Sequence, residues 1–409
     1  MCPGRGVGRS SHQGDRAAGH ADPLPSSVPR LDGLDLLRAI AICWVMLYHA
    51  SLFGLASQDY WIVRFGWMGV DLFFVLSGFL IAGQLLRPWA RGLRPDYPRF
   101  ISRRLLRTLP AYLAVVALYF IFPALRDRVD IQPLWRFLTF TQNFGLSPSP
   151  PKAFSHAWSL CVEEQFYVAF PIAVALLAMR PNAKRVMTVM ATVLLAGMII
   201  RGYTWLQGVA SVPFDVGSEP RGGPFMTLIY YPTWTRLDGL LAGVCAAAVQ
   251  VFRPQWWQML TAQPNRLLVG GIVGIVATTV FMKEQVATFW PSVLGYPLLS
   301  VSACLLVIAG TQRSAWIGRI ALPGVQAVAV MAYSLYLSHK IIFAAFARAT
   351  PLWLTEHGIL GLGAALGLAG AAGAVLYWTV ERPFLKLRDR LDGPSRSSIA
   401  FRAPVDSAP

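Results

Sequence analysis

Ten stretches of this chain stay apolar for long enough to cross a lipid bilayer, and nothing else in the sequence limits its fold so strongly. They run over 36–55, 66–86, 109–125, 163–179, 186–206, 237–252, 266–282, 292–310, 325–347 and 359–380. A bilayer core of about 30 Å takes roughly 20 apolar residues in helical form. In lipid, each backbone N–H and C=O must be satisfied within protein, so runs of this kind predict an all-α, polytopic helix bundle. The run at 163–179 is irregular because it opens with two glutamates, and those at 237–252 and 266–282 are short. Composition agrees: 55% of residues are hydrophobic and 14% charged, against about a quarter charged in ordinary soluble domains.

The connections carry the charge. Seven arginines (87, 91, 94, 99, 103, 104 and 107) and no lysine lie between 87 and 107, against one acid, Asp96. Arg180, Lys184 and Arg185 follow the fourth run, and Arg382, Lys386, Arg388 and Arg390 follow the tenth. Basic connections stay on the cytoplasmic side. Ten crossings place all three groups there, with both termini cytoplasmic, whereas an odd number would separate them. The formal charge of +16 therefore reads as membrane topology and not as nucleic-acid binding. Residues 1–29, rich in Gly, Ser, Pro and Arg, read as a disordered basic tail and not as a cleavable signal peptide. Residues 30–390 read as one membrane domain and 391–409 as a polar tail. The five cysteines form no CxxC pair, which supports neither a disulfide framework nor a zinc site.

Ionisable residues inside such spans are costly and mark candidate functional positions. In "LDGLDLLRAIAICWVMLYHA", eleven residues separate Arg38 from His49. On a helix they return to nearly one face, about 16 Å apart along the axis. Asp71 stands near the outer end of the second span as a candidate partner for a cation. Ser77-Gly78 reads as a helix-packing pair, since no nucleophile elbow surrounds the serine. Arg103, Arg104 and Arg107 occupy one turn, with Arg103 and Arg107 on one face. They suit bidentate phosphate recognition as well as topology. "FSHAWSLCVEEQFYVAFP" brings His156, Trp158, Glu163, Glu164 and Tyr167 to a membrane boundary, where adjacent carboxylates need partners or a helix dipole. Arg236 and Asp238 read as a local pair at a helix start. His339 reads as a core histidine, and Glu381-Arg382-Pro383 as a helix stop. Without HxxxH or HxxE spacing, the histidines and glutamates do not predict a metal site.

Seven pieces occur in order between about 31 and 390: "LDGLDLLRAIAICWVMLYH", "GVDLFFVLSGFLI", "RRLLRTLPAYL", "WSLCVEEQFY", "RLDGLLAG", "YSLYLSH" and "ERPF". In these the chain resembles the acyltransferase-3 family of integral-membrane enzymes, which includes O-antigen and peptidoglycan O-acetylases. The resemblance implies a bacterial inner-membrane enzyme with no tightly bound cofactor. It would move an acyl group, usually acetyl, from the co-substrate acyl-CoA (acetyl-CoA) to a hydroxyl of a carbohydrate or glycolipid acceptor. The essential histidine of the first motif falls on His49 and its arginine on Arg38, while the basic motif falls on Arg103, Arg104 and Arg107. Two departures stand out. The first motif reads "LDGLDLLRA" in place of the shorter "LDGLRA", so an upstream arginine matches Arg30 or nothing. No esterase-like domain is expected after the last span, so the membrane domain or another protein would complete the transfer.

Spacing and resemblance together give an expected mechanism. Arginines at the inner edge hold the CoA phosphates, and the pantetheine arm rises along the Arg38–His49 stripe. His49 acts as general base, with Glu163 or Glu164 fixing its tautomer; an acyl-histidine relay is the other route. Asp71, Trp158, Tyr167, Arg236, Asp238 and His339 are the supporting or acceptor-side candidates. Two competing readings remain. One is a secondary transporter using the buried histidines and carboxylates as a proton relay, which lacks a visible inverted repeat. The other is a membrane protein that presents a glycan to another enzyme and needs no donor site.

Overall fold

The computed structural model describes residues 31–179, 182–212, 222–284, 288–320, 322–349 and 351–391. The predicted tails, apart from Leu391, lie outside these residues, as do Arg30 and Arg180. The chain is an all-α, polytopic membrane protein. Its principal helices are α1 (Asp32–Ser51), α2 (Gly69–Ala90), α3 (Tyr97–Ile121), α4 (Trp158–Ala178), α5 (Ala183–Thr204), α6 (Asp238–Phe252), α7 (Pro264–Phe281), α8 (Phe289–Gly310), α9 (Pro323–Ala349) and α10 (Pro351–Leu376), the last broken by a kink at Gly358. A polar helix, α11 (Arg382–Leu391), closes the described chain. Among the described residues nine helical stretches are long and apolar enough to cross a membrane. The remaining run forms α6, which has only 15 residues. No strand occurs among these residues; Asp130 and Lys152 make one isolated bridge.

Burial divides the helices into layers. The windows of α2, α8 and α9 are mostly buried, and α1 is half-buried, so these four form the centre. α5 and α7 bury little and keep Leu195, Ile199, Ile272 and Val276 exposed. In lipid such a surface is satisfied, because the tails are as apolar as the side chains.

Two features hold the centre together. Where α2 crosses α6, a Cβ on Gly78 would lie 2.1 Å from the Leu240 carbonyl oxygen, and one on Gly243 2.2 Å from that of Val75. Only glycine permits this approach, which agrees with the packing reading of Gly78. Buried ion pairs do the rest. The Nη2 of Arg236 donates to both carboxylate oxygens of Asp71, at 2.8 and 2.9 Å, while Tyr296, Tyr230 and Trp158 stack around its guanidinium. Arg201 grips Asp238 through two N–H groups at 2.7 and 3.0 Å and also donates to the Thr235 and Val293 carbonyls. The expected local pair of Arg236 with Asp238 is therefore corrected: each bonds to a different helix, because side chains two apart on a helix start diverge.

Candidate active site

α1 enters the bundle with Arg38 one-quarter exposed and paired to Asp35 at 2.6 Å, and reaches His49 near its other end. α9 runs beside it and brings His339 against that histidine. The Nδ1 of His49 lies 2.7 Å from the Nε2 of His339, and the Nδ1 of His339 lies 2.8 Å from the Leu335 carbonyl oxygen. A carbonyl can only accept, so in the neutral ring the His339 Nδ1 carries the proton and Nε2 the lone pair. That lone pair accepts from the Nδ1–H of His49. The chain of bonds leaves the Nε2 of neutral His49 unprotonated, which is the form a general base requires. His49 is 9% exposed, against 3% for His156 and 0% for His339, so it is the least buried of the three rings.

His156 completes the cluster. Its ring centre is 5.7 Å from that of His49 and 5.2 Å from that of His339, and neither of its nitrogens has a hydrogen-bond partner among the described residues. It is placed by Phe154, a buried phenylalanine at φ +56°. This left-handed backbone is unfavourable for a side chain with a Cβ. It is held by Tyr119 and Phe137 stacked on the Phe154 ring and by Asp127, which accepts the Phe154 N–H at 2.9 Å. Asp127 also pairs with the Lys340 ammonium at 2.9 Å. Burial alone would push its pKa up, but Lys340, the Phe154 N–H and Tyr119 together hold the carboxyl below its ordinary range. Among the described residues no group of His, Cys, Asp and Glu could hold a metal ion.

A cavity of about 260 Å³ opens between α2, α3, α4 and α9. Arg38, Arg104 and Arg107 line it together with Glu163, Glu164 and Glu381. Tyr167 donates to the Glu163 Oε2 at 2.5 Å, and the Ser77 hydroxyl meets both groups. Ser334 donates to the Glu381 Oε2 at 2.5 Å. Tyr336, another lining residue, donates to the His156 carbonyl at 2.6 Å and accepts from Ser159. Its ring also lies 6.0 Å from that of His339, so the cavity adjoins the histidine cluster through this tyrosine.

A sequence profile described as an acyltransferase domain matches residues 31–378, which take in every residue of the site just described except Glu381. The chain belongs to the acyltransferase-3 family. It is 31% identical over 256 residues to the "Putative peptidoglycan O-acetyltransferase YrhL" of Bacillus subtilis, covering 58% of this chain and 35% of that protein. It is 25% identical over 335 residues to the O-acetyltransferase OatA of Staphylococcus aureus, covering 76% of this chain and 50% of OatA. The chain thus spans half or less of the length of these relatives. No solved structure matches it significantly.

Set against the family motifs, the site differs from expectation in four places. His49 has His339 as its hydrogen-bond partner, and neither glutamate bonds to it; Glu163 is taken up by Tyr167 and Ser77, and Glu164 faces Thr108 in the cavity. The cavity takes Arg104 and Arg107 from the basic motif but not Arg103, because the face that meets α2 follows the i, i+3 pair. Asp71, Trp158, Arg236 and Asp238 do not line this cavity and belong to the buried ionic knot. Four contributors had no site role in the sequence reading: His156 was singled out only as part of its motif, Ser77 read as packing, and Tyr336 and Glu381 were given none. Glu381 read as a helix stop, and only the contact with Ser334 from a distant helix reveals its place.

Proposed function

We propose that this protein is a membrane O-acyltransferase that moves an acetyl group from cytoplasmic acetyl-CoA to a hydroxyl of a carbohydrate-type acceptor, as the names of its relatives suggest. The observation that carries this reading is the Leu335–His339–His49 chain of hydrogen bonds, which supports a lone pair on the His49 Nε2. Arg38, Arg104 and Arg107 bind the anionic end of the donor at the cytoplasmic edge of an inner-membrane bundle. The arm of the donor follows the α1 stripe toward His49. There the Nε2 takes the proton of the acceptor hydroxyl as its oxygen attacks the thioester carbonyl. The C–S bond breaks, and the departing thiolate recovers the proton from Nε2 as free CoA. His339 is a positioning residue, accepting the Nδ1–H of the imidazolium. Glu163 and Glu164, with Tyr167, position the donor arm in the cavity.

The test is release of CoA from acetyl-CoA by purified protein in nanodiscs, with cell-envelope glycans as acceptor. Acceptor-dependent release is expected from wild type and not from His49→Ala. Arg104→Gln with Arg107→Gln is expected to raise the KM for acetyl-CoA about tenfold or more, the effect of losing charge-assisted bonds to phosphate. Absence of release with every acceptor, together with no acetyl-CoA binding by calorimetry, would overturn the proposal in favour of a transporter.

A further inference from the structure

At the end of the bundle opposite Arg38, Arg104 and Arg107 lies a second opening, a cleft of about 740 Å³. Its walls come from the segments after α1 and α3 and from the last turns of α9. Leu52, in its wall, follows His49 by three residues, so the cleft begins about one helical turn from the histidine cluster. Three arginines line it: Arg126, Arg128 and Arg348. None of them is ion-paired among the described residues. The carboxylate that shares the cleft, Asp127, is already bound by Lys340 and by the Phe154 N–H.

The arginines are fixed in advance. Arg126 donates to the Tyr119 carbonyl at 2.8 Å, Arg128 to the Leu52 carbonyl at 3.1 Å, and Arg348 to the Arg126 and Ala124 carbonyls at 2.9 and 3.2 Å. The Arg128 guanidinium also lies 5.0 Å from the centre of the Phe53 ring. Each guanidinium carries five N–H groups and spends one or two on the backbone. Donors therefore remain on side chains that line the cleft and are already oriented. Basic residues are disfavoured on the outer face of a bundle, so three arginines without carboxylate partners around one cleft call for an anionic ligand.

We propose that this cleft is an oxyanion subsite for the acceptor, which selects a saccharide carrying a carboxylate near the hydroxyl that is acylated. The role as acceptor subsite rests on the acyltransferase reading; the binding chemistry does not. The carboxylate docks on the arginine forks, and the saccharide hydroxyl points inward toward His49.

The experiment is calorimetric titration of the protein, in phosphatidylcholine nanodiscs, with a uronic-acid oligosaccharide and with its carboxyl-reduced neutral counterpart. The acidic sugar is expected to bind at least tenfold more tightly, with affinity falling as salt rises. Arg128→Gln and Arg348→Gln are each expected to weaken it about tenfold. Arg128→Lys, which keeps the charge, is expected to recover part of the loss, and Arg253→Gln, just after α6 at the end of the bundle that carries Arg87, to change nothing. Equal affinity for the two sugars, or a preference that survives both glutamine variants, would overturn the subsite. Loss of saccharide binding in phosphatidylglycerol nanodiscs would assign the cleft to lipid headgroups and overturn the saccharide assignment. Tight carboxylate-dependent binding without turnover on any acceptor would leave the anion site standing and count against the acyltransferase reading.

Discussion

His49 keeps a lone pair on Nε2 only while His339 holds its own proton on Nδ1, and the Leu335 carbonyl enforces that state. Under the proposed mechanism, replacing His49 with alanine is expected to lower kcat by about 10²–10⁴-fold, the usual weight of a positioned base. His339→Ala removes the group that fixes the tautomer and is expected to lower kcat roughly 10²-fold with the acetyl-CoA KM little changed. Steady-state kinetics on both substrates separate the two effects. Asp127 makes a pH prediction of a different kind. Its pKa is held below its unfolded value of about 3.9. Its contribution to stability is therefore complete above that value and is lost as pH falls through the lower, folded one. Thermal unfolding followed from pH 7 to 3 should show an acid limb that flattens in Asp127→Asn, since that variant has no carboxylate to protonate. These three roles differ in how visible they are from sequence. His49 stands out in an apolar run, whereas Asp127 sits in an ordinary polar loop until Lys340 and Phe154 close around it.

The helices as elements were readable because lipid leaves the backbone few choices, and each expected span has a helical counterpart in the structure. Their pairings were not readable. Gly78 and Gly243 look alike as small residues, yet each lies against the backbone of the other helix. Gly243→Val is expected to push α2 and α6 apart and to destabilise the bundle by about 3 kcal/mol. A fall in melting temperature in detergent, measured by fluorescence-detected size exclusion, checks this. Asp71 and Arg236 are 165 residues apart, and no local pattern connects them. Asp71→Asn leaves the Arg236 charge buried and uncompensated, at a cost of about 3–5 kcal/mol. The same assay should show it to be more harmful than Asp71→Asn paired with Arg236→Gln. Replacing both partners removes the stranded charge, and a less harmful single variant would count against a structural role for the pair.

At the scale of the whole molecule, the histidine cluster has a cavity on one side and a cleft towards the other end of the bundle, each lined with arginine. The stripe from Arg38 to His49 was legible because both residues belong to one helix of known rise. The partner of His49 was not, since the order of residues along the chain does not say which helix lies beside α1. Two glutamates at a membrane boundary looked like the natural neighbours, and α9 took that place through Leu335 and His339. The stripe has a further consequence for chemistry. Because α1 fixes its two polar residues about 16 Å apart along its axis, it works as a gauge of molecular reach. A short activated donor such as acetyl phosphate can touch the arginines or the imidazole, but it cannot span both. Under the proposed mechanism such a compound occupies the basic entrance without delivering its acetyl group, so the length of the carrier arm, more than the reactivity of the acyl bond, decides what this protein accepts as a donor.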